Sequence, residues 1–450
     1  MSARAAKRDF GWELAKLHER HGTFGRTGRN SVSVVDPAAV GDLYRFGGPV
    51  RDKAPFYHFF KVTAPSLLAT LPHDAHNLAR RGTPRAEWRP SNMGDLLQFL
   101  AMDVVGELAF GQSFGLCKAG YDTHKYLPML DAYAASSCLR FATLLLAQPW
   151  ARPVLHRWLT RRLGSSGNAA LGEKASAAVS RRLDEFEGAK STRRDDTALR
   201  RDVLSKLLSA NHPDGTTFSV AQVKVQANSI LGAGSDTTSI TFRALLAYVL
   251  KNERIYQRVV AELEEAVEAG TITFPLSYAA ASKLEYFQAC PKETLRLHPA
   301  VPWVLPRVIP PGGAIFVAGR HFAGGVEIGM SPYVFQRRKE VYGEDAEVFR
   351  PERWFGREKK QLDRYLLTFG QGNRICVGKN IALMELSKLA PSVLYRYNLT
   401  FTPRNQPNSP HCLPGRSVDG KLDMNEPWHC ASQWFSHQRD FWMGVSERAL

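Results

Sequence analysis

Residues 369–379 read FGQGNRICVGK, and no other run in the chain constrains its fold as strongly. Gly370, Gly372 and Gly378 surround a single cysteine, Cys376. Glycine turns sharply and lets a backbone approach a flat surface without a Cβ clash. The following run, KNIALMELSKLAPSVLYRY, sets Ile381, Leu383, Met384, Leu386 and Leu389 at helical spacing. The pattern predicts a tight loop that presents one sulfur at the start of a helix, facing the positive end of its dipole. Such a sulfur suits a metal ligand, since the thiolate is the ligating form. The plainer alternative is a buried structural cysteine in a Gly-rich turn.

Other patterns stand upstream in a fixed order. Glu293 and Arg296, in KETLRLHP, share a helical face at i and i+3. PERW at 351–354 offers Arg353 as a further member of that group. AGSDTT, residues 233–238, lies within an apolar-periodic segment from about 220 to 250. Its Thr237 hydroxyl is expected to interrupt regular helical bonding and open a groove for water. His76 and Arg80 have the H-x-x-x-R spacing of one helix face, and Arg307 sits in LPRVIPPGG. Each pattern alone is weak; their order is the stronger signal.

Together these motifs resemble those of the cytochrome P450 family, and the resemblance covers nearly the whole chain. It implies a mostly α fold with a small β-rich lobe (α+β), arranged as a single catalytic domain over residues 1–450. It implies haem b, with the Cys376 thiolate as axial ligand, Phe369 shielding the sulfur and Gly370 and Gly378 shaping the loop. Arg374 and Arg307, with His76 and Arg80, would pair with the haem propionates. Glu293, Arg296 and Arg353 would form a buried structural brace. Thr237 and Asp236 would deliver protons, Asp236 feeding them from solvent. Gly232 and Gly234 would leave room for dioxygen.

The activity implied is a monooxygenase that hydroxylates or O-demethylates a lipophilic substrate. Its electrons would come from NADPH-cytochrome P450 reductase. The resemblance leans to the fungal microsomal branch, including enzymes similar to pisatin demethylase, which act on aromatic secondary metabolites. Two alternatives stay open. One is a haem-binding but catalytically impaired relic. The other is an isomerase or dehydratase on the same haem, against which the retention of Asp236 and Thr237 argues.

The chain also departs from the family pattern. Residues 81–95 are short, polar and proline-broken where the family carries several dozen more residues, so part of the helical bundle is expected to be missing there. Pro291 falls inside the predicted brace helix, which should therefore start later or bend. The N-terminus is polar, and the chain begins near where the family's catalytic unit begins. The endoplasmic reticulum membrane, on its cytosolic face, is the location the resemblance implies, with peripheral contact as one route; since no apolar run is long enough to span a bilayer, a cytoplasmic location stays open. The apolar run at 139–150 is a candidate substrate-admitting helix that touches membrane.

Composition excludes other classes. The 450 residues are 44% hydrophobic and 23% charged, the profile of a folded globular protein. Six cysteines lack paired spacing, which argues against a disulfide framework. The net charge of +16 does not point to nucleic acid, because no recognition motif accompanies it. It suits an acidic redox partner or an anionic membrane surface, with Arg337, Arg338, Lys339, Lys359 and Lys360 as docking candidates. Further expectations are a helix and turn over 11–30, a strand at 31–35 and a helix from Asp36–Pro37. Also expected are a buried helix over 96–115, a mobile connection over 163–200 and a charged helix over 253–269. Strands at 314–318 and 326–330 should pair. A loop is expected over 404–426, and a closing hairpin near the substrate pocket.

Overall fold

Helices form wherever apolar side chains recur every three to four residues, and they make up most of the molecule. The computed structural model describes residues 10–28, 30–45, 89–122, 126–128, 166–191, 202–212, 214–356, 358–401, 417–418, 421–422, 431–432, 435–438 and 441–448. In chain order the main elements are α1 (Phe10–His21), β1 (Phe24–Gly28), β2 (Ser31–Val34), α2 (Ala38–Tyr44), β3 (Arg89–Asn92), α3 (Met93–Phe110), α4 (Ser166–Ser191), α5 (Val220–Lys251), α6 (Glu253–Glu268) and α7 (Glu285–Leu297). There follow β4 (Arg307–Val308), β5 (Ala314–Val317), β6 (Arg320–Ala323), β7 (Glu327–Gly329), α8 (Lys379–Arg396), β8 (Tyr397–Phe401), β9 (Ser417–Val418), β10 (Lys421–Leu422), β11 (Ala431–Ser432), β12 (Ser436–His437) and β13 (Trp442–Glu447). Short helical turns lie between them.

The chain divides into two compact units. One comprises Met1–Pro55, Thr83–Asp95 and Thr237–Leu450; the other comprises Phe56–Gly82 and Leu96–Asp236. In the second unit, Met102, Val105 and Phe110 of α3 pack with Val179 of α4 and Val223 and Leu231 of α5. The segment expected to be a mobile connection is helical from Ser166 to Ser191. Its alanines favour helix strongly and outweigh its glycine and serine content. Burial fixes it in place: Arg182 pairs with Asp202 and donates to the Phe110 carbonyl at 3.2 Å.

The first unit holds the sheets. One has the order β1-β2-β7-β4, with β2 and β7 parallel and Val32 opposite Ile328. Here β1 occupies residues expected to be only a turn. Residues 314–317 do not pair with 327–329; β5 pairs with β6 in a tight hairpin, and β7 joins β2 and β4. The cause is local. Ala318 and Gly319 both adopt positive φ (47° and 75°), the geometry that closes a two-residue hairpin with the right twist. Among the described residues of the C-terminal segment, β12 and β13 do not pair with each other. Strand β13 is central in a sheet of order β3-β13-β8, and β12 pairs with β11. Within the expected loop at 404–426, β9 and β10 pair with each other.

Helix α7 runs through Pro291 and starts before it, which excludes the later start, one of the two expected outcomes. Proline removes the donor to the Phe287 carbonyl. The Glu262 carboxylate of α6 compensates at the other end, accepting from the backbone N–H groups of Tyr286 and Phe287 at 2.8 Å each. Helix α2 begins at Ala38 with Pro37 at its cap position, and Asp36 accepts from the Ala38 amide at 2.9 Å. Among the described residues, no helix is long and apolar enough to cross a membrane. Residues 81–88 and 139–150, with the features expected there, lie outside the described residues.

An alanine in the left-handed region costs about 1–2 kcal/mol. Ala318→Gly should therefore stabilise the protein by roughly 0.5–1 kcal/mol, once glycine's larger unfolded-state entropy is subtracted. Denaturant unfolding checks this, and an unchanged or lowered midpoint would contradict the strain at Ala318.

Candidate active site

The cysteine loop is closed by its own backbone. The Cys376 amide donates to the Phe369 carbonyl at 2.8 Å, and the Gly370 amide to the Leu367 carbonyl at 2.7 Å. Gly370 and Gly372 have φ of 65° and 68°, so both positions require glycine's freedom. Gly372 is also a close approach: a Cβ there would lie 2.2 Å from the Tyr44 carbonyl oxygen at the end of α2. Gly378 differs from expectation. Its φ is −81°, an ordinary value, and it caps α8 while a Cβ on it would sit 3.8 Å from the Cys376 sulfur.

Of the described cysteines, Cys376 is exposed, Cys290 is buried and Cys117 is half-buried. Burial pushes the Cys290 thiol well up, and burial beside Asp103 pushes Cys117 to about 12, so neither favours the thiolate. Apolar side chains flank the accessible sulfur: Ile375 is 37% exposed and Val377 53%. A thiol between solvent-facing apolar residues, on a loop with no Cβ at its turns, fits a flat apolar macrocycle bearing a metal. Arg374 is exposed on the same loop. Arg307 is buried on β4, its guanidinium 5.2 Å from the Tyr44 ring centroid and donating to the Pro306 carbonyl at 3.1 Å. Tyr44 thus stands between Arg307 and the Gly372 turn. Phe369 is half-buried. His76 and Arg80 lie outside the described residues.

The structure brings Glu293, Arg296 and Arg353 together. The Glu293 carboxylate accepts from Arg296 Nε at 2.9 Å and Nη2 at 2.7 Å, and from Arg353 Nε at 3.2 Å. Trp354 Nε1 adds a bond at 2.9 Å and the Arg350 amide one at 3.1 Å. Remaining guanidinium donors go to backbone: Arg296 Nη1 to the Gln336 carbonyl at 2.8 Å and Arg353 Nη2 to the Asp345 carbonyl at 2.9 Å. A buried charge survives only when paired and hydrogen-bonded to this degree.

Sequence reasoning missed Gln336, which ties this cluster to the cysteine loop. Its Nε2 donates to the Arg296 carbonyl at 2.8 Å, and its Oε1 accepts from the Leu367 amide at 2.6 Å, two residues before Phe369. Thr368 Oγ1 donates to the Leu295 carbonyl at 2.6 Å. A lone glutamine carries no periodicity or motif that would have marked it. Trp354 could have been found, since it completes PERW.

On α5, Ala233 is exposed and Thr237, four residues on, is half-buried, so an accessible stripe runs along one face of a largely buried helix. The expected interruption at Thr237 does not occur: α5 is helical from Val220 to Lys251. Instead, Thr241 Oγ1 donates to the Thr237 carbonyl at 2.9 Å and Ser235 Oγ to the Leu231 carbonyl at 2.8 Å, bonds that bend rather than break a helix. Asp236 is buried, not open to solvent, and Gln98 Nε2 of α3 donates to its Oδ1 at 2.6 Å. Gly234 serves packing, since a Cβ would meet Val105 Cγ2 at 2.7 Å. Gly232 is buried.

Arg337 leaves the expected docking face. Its buried side chain donates to the Tyr333 carbonyl at 3.0 Å and to the Leu297 carbonyl. Lys339 is exposed and pairs with Glu344, Arg338 pairs with Glu340, and Lys359 and Lys360 are exposed.

A family model described as Cytochrome P450 matches residues 58–421. Among curated relatives, Cytochrome P450 monooxygenase cicH of Emericella nidulans is 29% identical, the match covering 96% of this chain and 88% of that protein. Cytochrome P450 monooxygenase gsfF of Penicillium aethiopicum is 30% identical, over 85% of this chain and 81% of the relative. Pisatin demethylase of Fusarium vanettenii is 32% identical, over 86% and 78%.

Glu293→Gln removes the charge between two buried arginines and should destabilise the chain by about 3–5 kcal/mol. Equilibrium unfolding measures this, and a loss below about 1 kcal/mol would place the pairing outside the core of the stability. Glu385, on α8, offers a pH test. Burial alone pushes its carboxyl up from 4.5 to about 8. Between those values the folded state holds a proton that the unfolded state has released, so stability falls as pH rises through that window. Glu385→Gln should leave stability at pH 5 nearly unchanged and raise it at pH 8. Parallel unfolding curves at the two pH values report the difference.

Proposed function

Because the chain belongs to the cytochrome P450 family, we propose that it binds haem b through Cys376 and acts on a lipophilic aromatic secondary metabolite by hydroxylation or oxidative O-demethylation. The observation that carries this is the accessible Cys376 sulfur on a loop pinned by Gly372 against Tyr44 and by Gln336 against the buried glutamate cluster. Haem, when bound, supplies the activation of dioxygen, and a thiolate ligand favours O–O cleavage.

The chain's own residues do the rest. Cys376 holds the iron as thiolate, near the N-terminus of α8, whose dipole favours the negative sulfur. Phe369 and the exposed Ile375 and Val377 cover apolar macrocycle surface and exclude water. Arg374 and Arg307 neutralise the two propionate carboxylates. The Thr237 hydroxyl holds a proton on the accessible face of α5, and Asp236 supplies it. Asp236 is itself buried, and Gln98 Nε2 donates to its Oδ1. Electrons come from NADPH-cytochrome P450 reductase. The whole chain serves as one catalytic domain at the cytosolic face of the endoplasmic reticulum. The relatives named pisatin demethylase support the demethylation reading.

Purified protein loaded with haem, reduced and exposed to carbon monoxide should give a thiolate-type Soret band, and Cys376→Ala should abolish it. A band persisting in that variant would remove Cys376 from the iron; a chain that takes up no haem would leave an impaired relic as the correct reading. Thr237→Ala should retain the thiolate band while diverting electrons to peroxide. Coupling identical to the parent would exclude Thr237 from proton delivery.

A further inference from the structure

A second concave site shares no lining residue with the cysteine loop and does not depend on the haem reading. It is a cleft of about 540 Å³ bounded by α1, the β1–β2 pair and the β5–β6 hairpin. Its charged and titratable lining residues are His21, Arg26, Arg320 and His321, joined by the polar Asn30 and Ser31. Among the described residues, no carboxylate lines it. The nearby Glu327, which accepts from Ser31 Oγ at 3.2 Å, is not among the lining residues.

Arg320 distinguishes this cleft from an ordinary basic surface. Its guanidinium carbon lies 5.3 Å from the Phe24 ring centroid and 5.7 Å from that of Phe322. The two rings are themselves in contact at 5.6 Å. Among the described residues Arg320 forms no ion pair. Stacking therefore orients the planar guanidinium while leaving its N–H donors for an incoming anion. That geometry suits bidentate recognition of an oxyanion. On the same hairpin Phe316 is 68% exposed, its ring 5.4 Å from His321.

We propose that this cleft binds a phosphate-bearing anion, with Arg320 and Arg26 as its principal partners. Tetrahedral phosphate offers several acceptor oxygens to donors converging from three elements, and among the described residues no carboxylate lining the cleft competes for Arg320. The phosphate can belong to a lipid headgroup, with Phe316 entering the apolar layer, or to a free phosphate compound.

The test uses the full chain and two probes. Vesicles of phosphatidylcholine, with and without phosphatidic acid, report the lipid source by co-sedimentation. Inorganic pyrophosphate titrated calorimetrically reports the free source. Binding to the phosphatidic acid vesicles alone assigns a lipid headgroup; one-to-one binding of pyrophosphate assigns a soluble phosphate compound. In either case R26Q/R320Q should weaken binding about tenfold or more. K118Q/K283Q, which removes the same charge from exposed positions elsewhere, should change it less than about twofold. R26K/R320K keeps the charge without the planar fork and should recover part of the affinity. Thermal unfolding verifies that each variant folds; should R26Q/R320Q fail, H21Q/H321Q carries the same directional expectation. The proposal is overturned if the parent chain binds neither probe, or if the cleft and distant variants lose binding equally.

Discussion

The Glu293 carboxylate accepts hydrogen bonds from two arginines, an indole and a backbone amide, and the segments around it are arranged to neutralise that one buried charge. The arrangement is self-consistent only as a whole. Removing either arginine would strip the carboxylate of one of its two charged partners, and removing the carboxylate would take from Arg296 its buried counter-charge. The donors come from α7 and from the stretch Arg350–Trp354, far apart in sequence. The charge thus fixes the path of the chain between them, including the backbone carbonyls of Gln336, Ala346 and Val348 that take the remaining Arg296 donors.

From this cluster, order passes to the cysteine loop through short polar contacts, alongside the apolar packing of Phe335 and Leu367. Gln336 holds the carbonyl of Arg296 with one end of its amide and the amide of Leu367 with the other. The loop then closes on itself between Phe369 and Cys376 and is wedged at Gly372 against Tyr44. A ligand on such a loop keeps its position without contributing much surface to the core, which is why Cys376 can be both accessible and held. A burial-based search for important residues would have passed over it.

Helix α5 combines two local demands. Its Gly234 admits Val105 of α3, and its Asp236 is held by Gln98 of the same helix. Close packing and a buried acid are thus supplied by one neighbour. The Thr237 hydroxyl, expected to break the helix, lies in continuous helix, because hydroxyl bonds back to the preceding turn can bend a helix and leave its ladder in place.

The sequence by itself determined the family, the identity of the sulfur-bearing loop, the residue types of the buried cluster and the long helices. Each is encoded by neighbours at short spacing, where glycine freedom and helical periodicity act directly. It also misplaced what depends on distant partners. The β5–β6 pairing turned on positive φ at Ala318, the helicity of 166–191 on burial of Arg182 against Asp202, and the loss of Arg337 from the basic face on carbonyls far along the chain. Gln336 and Gln98 were invisible for the same reason. A single amide side chain has no local signature, and only tertiary structure decides which two backbone or carboxyl groups it joins.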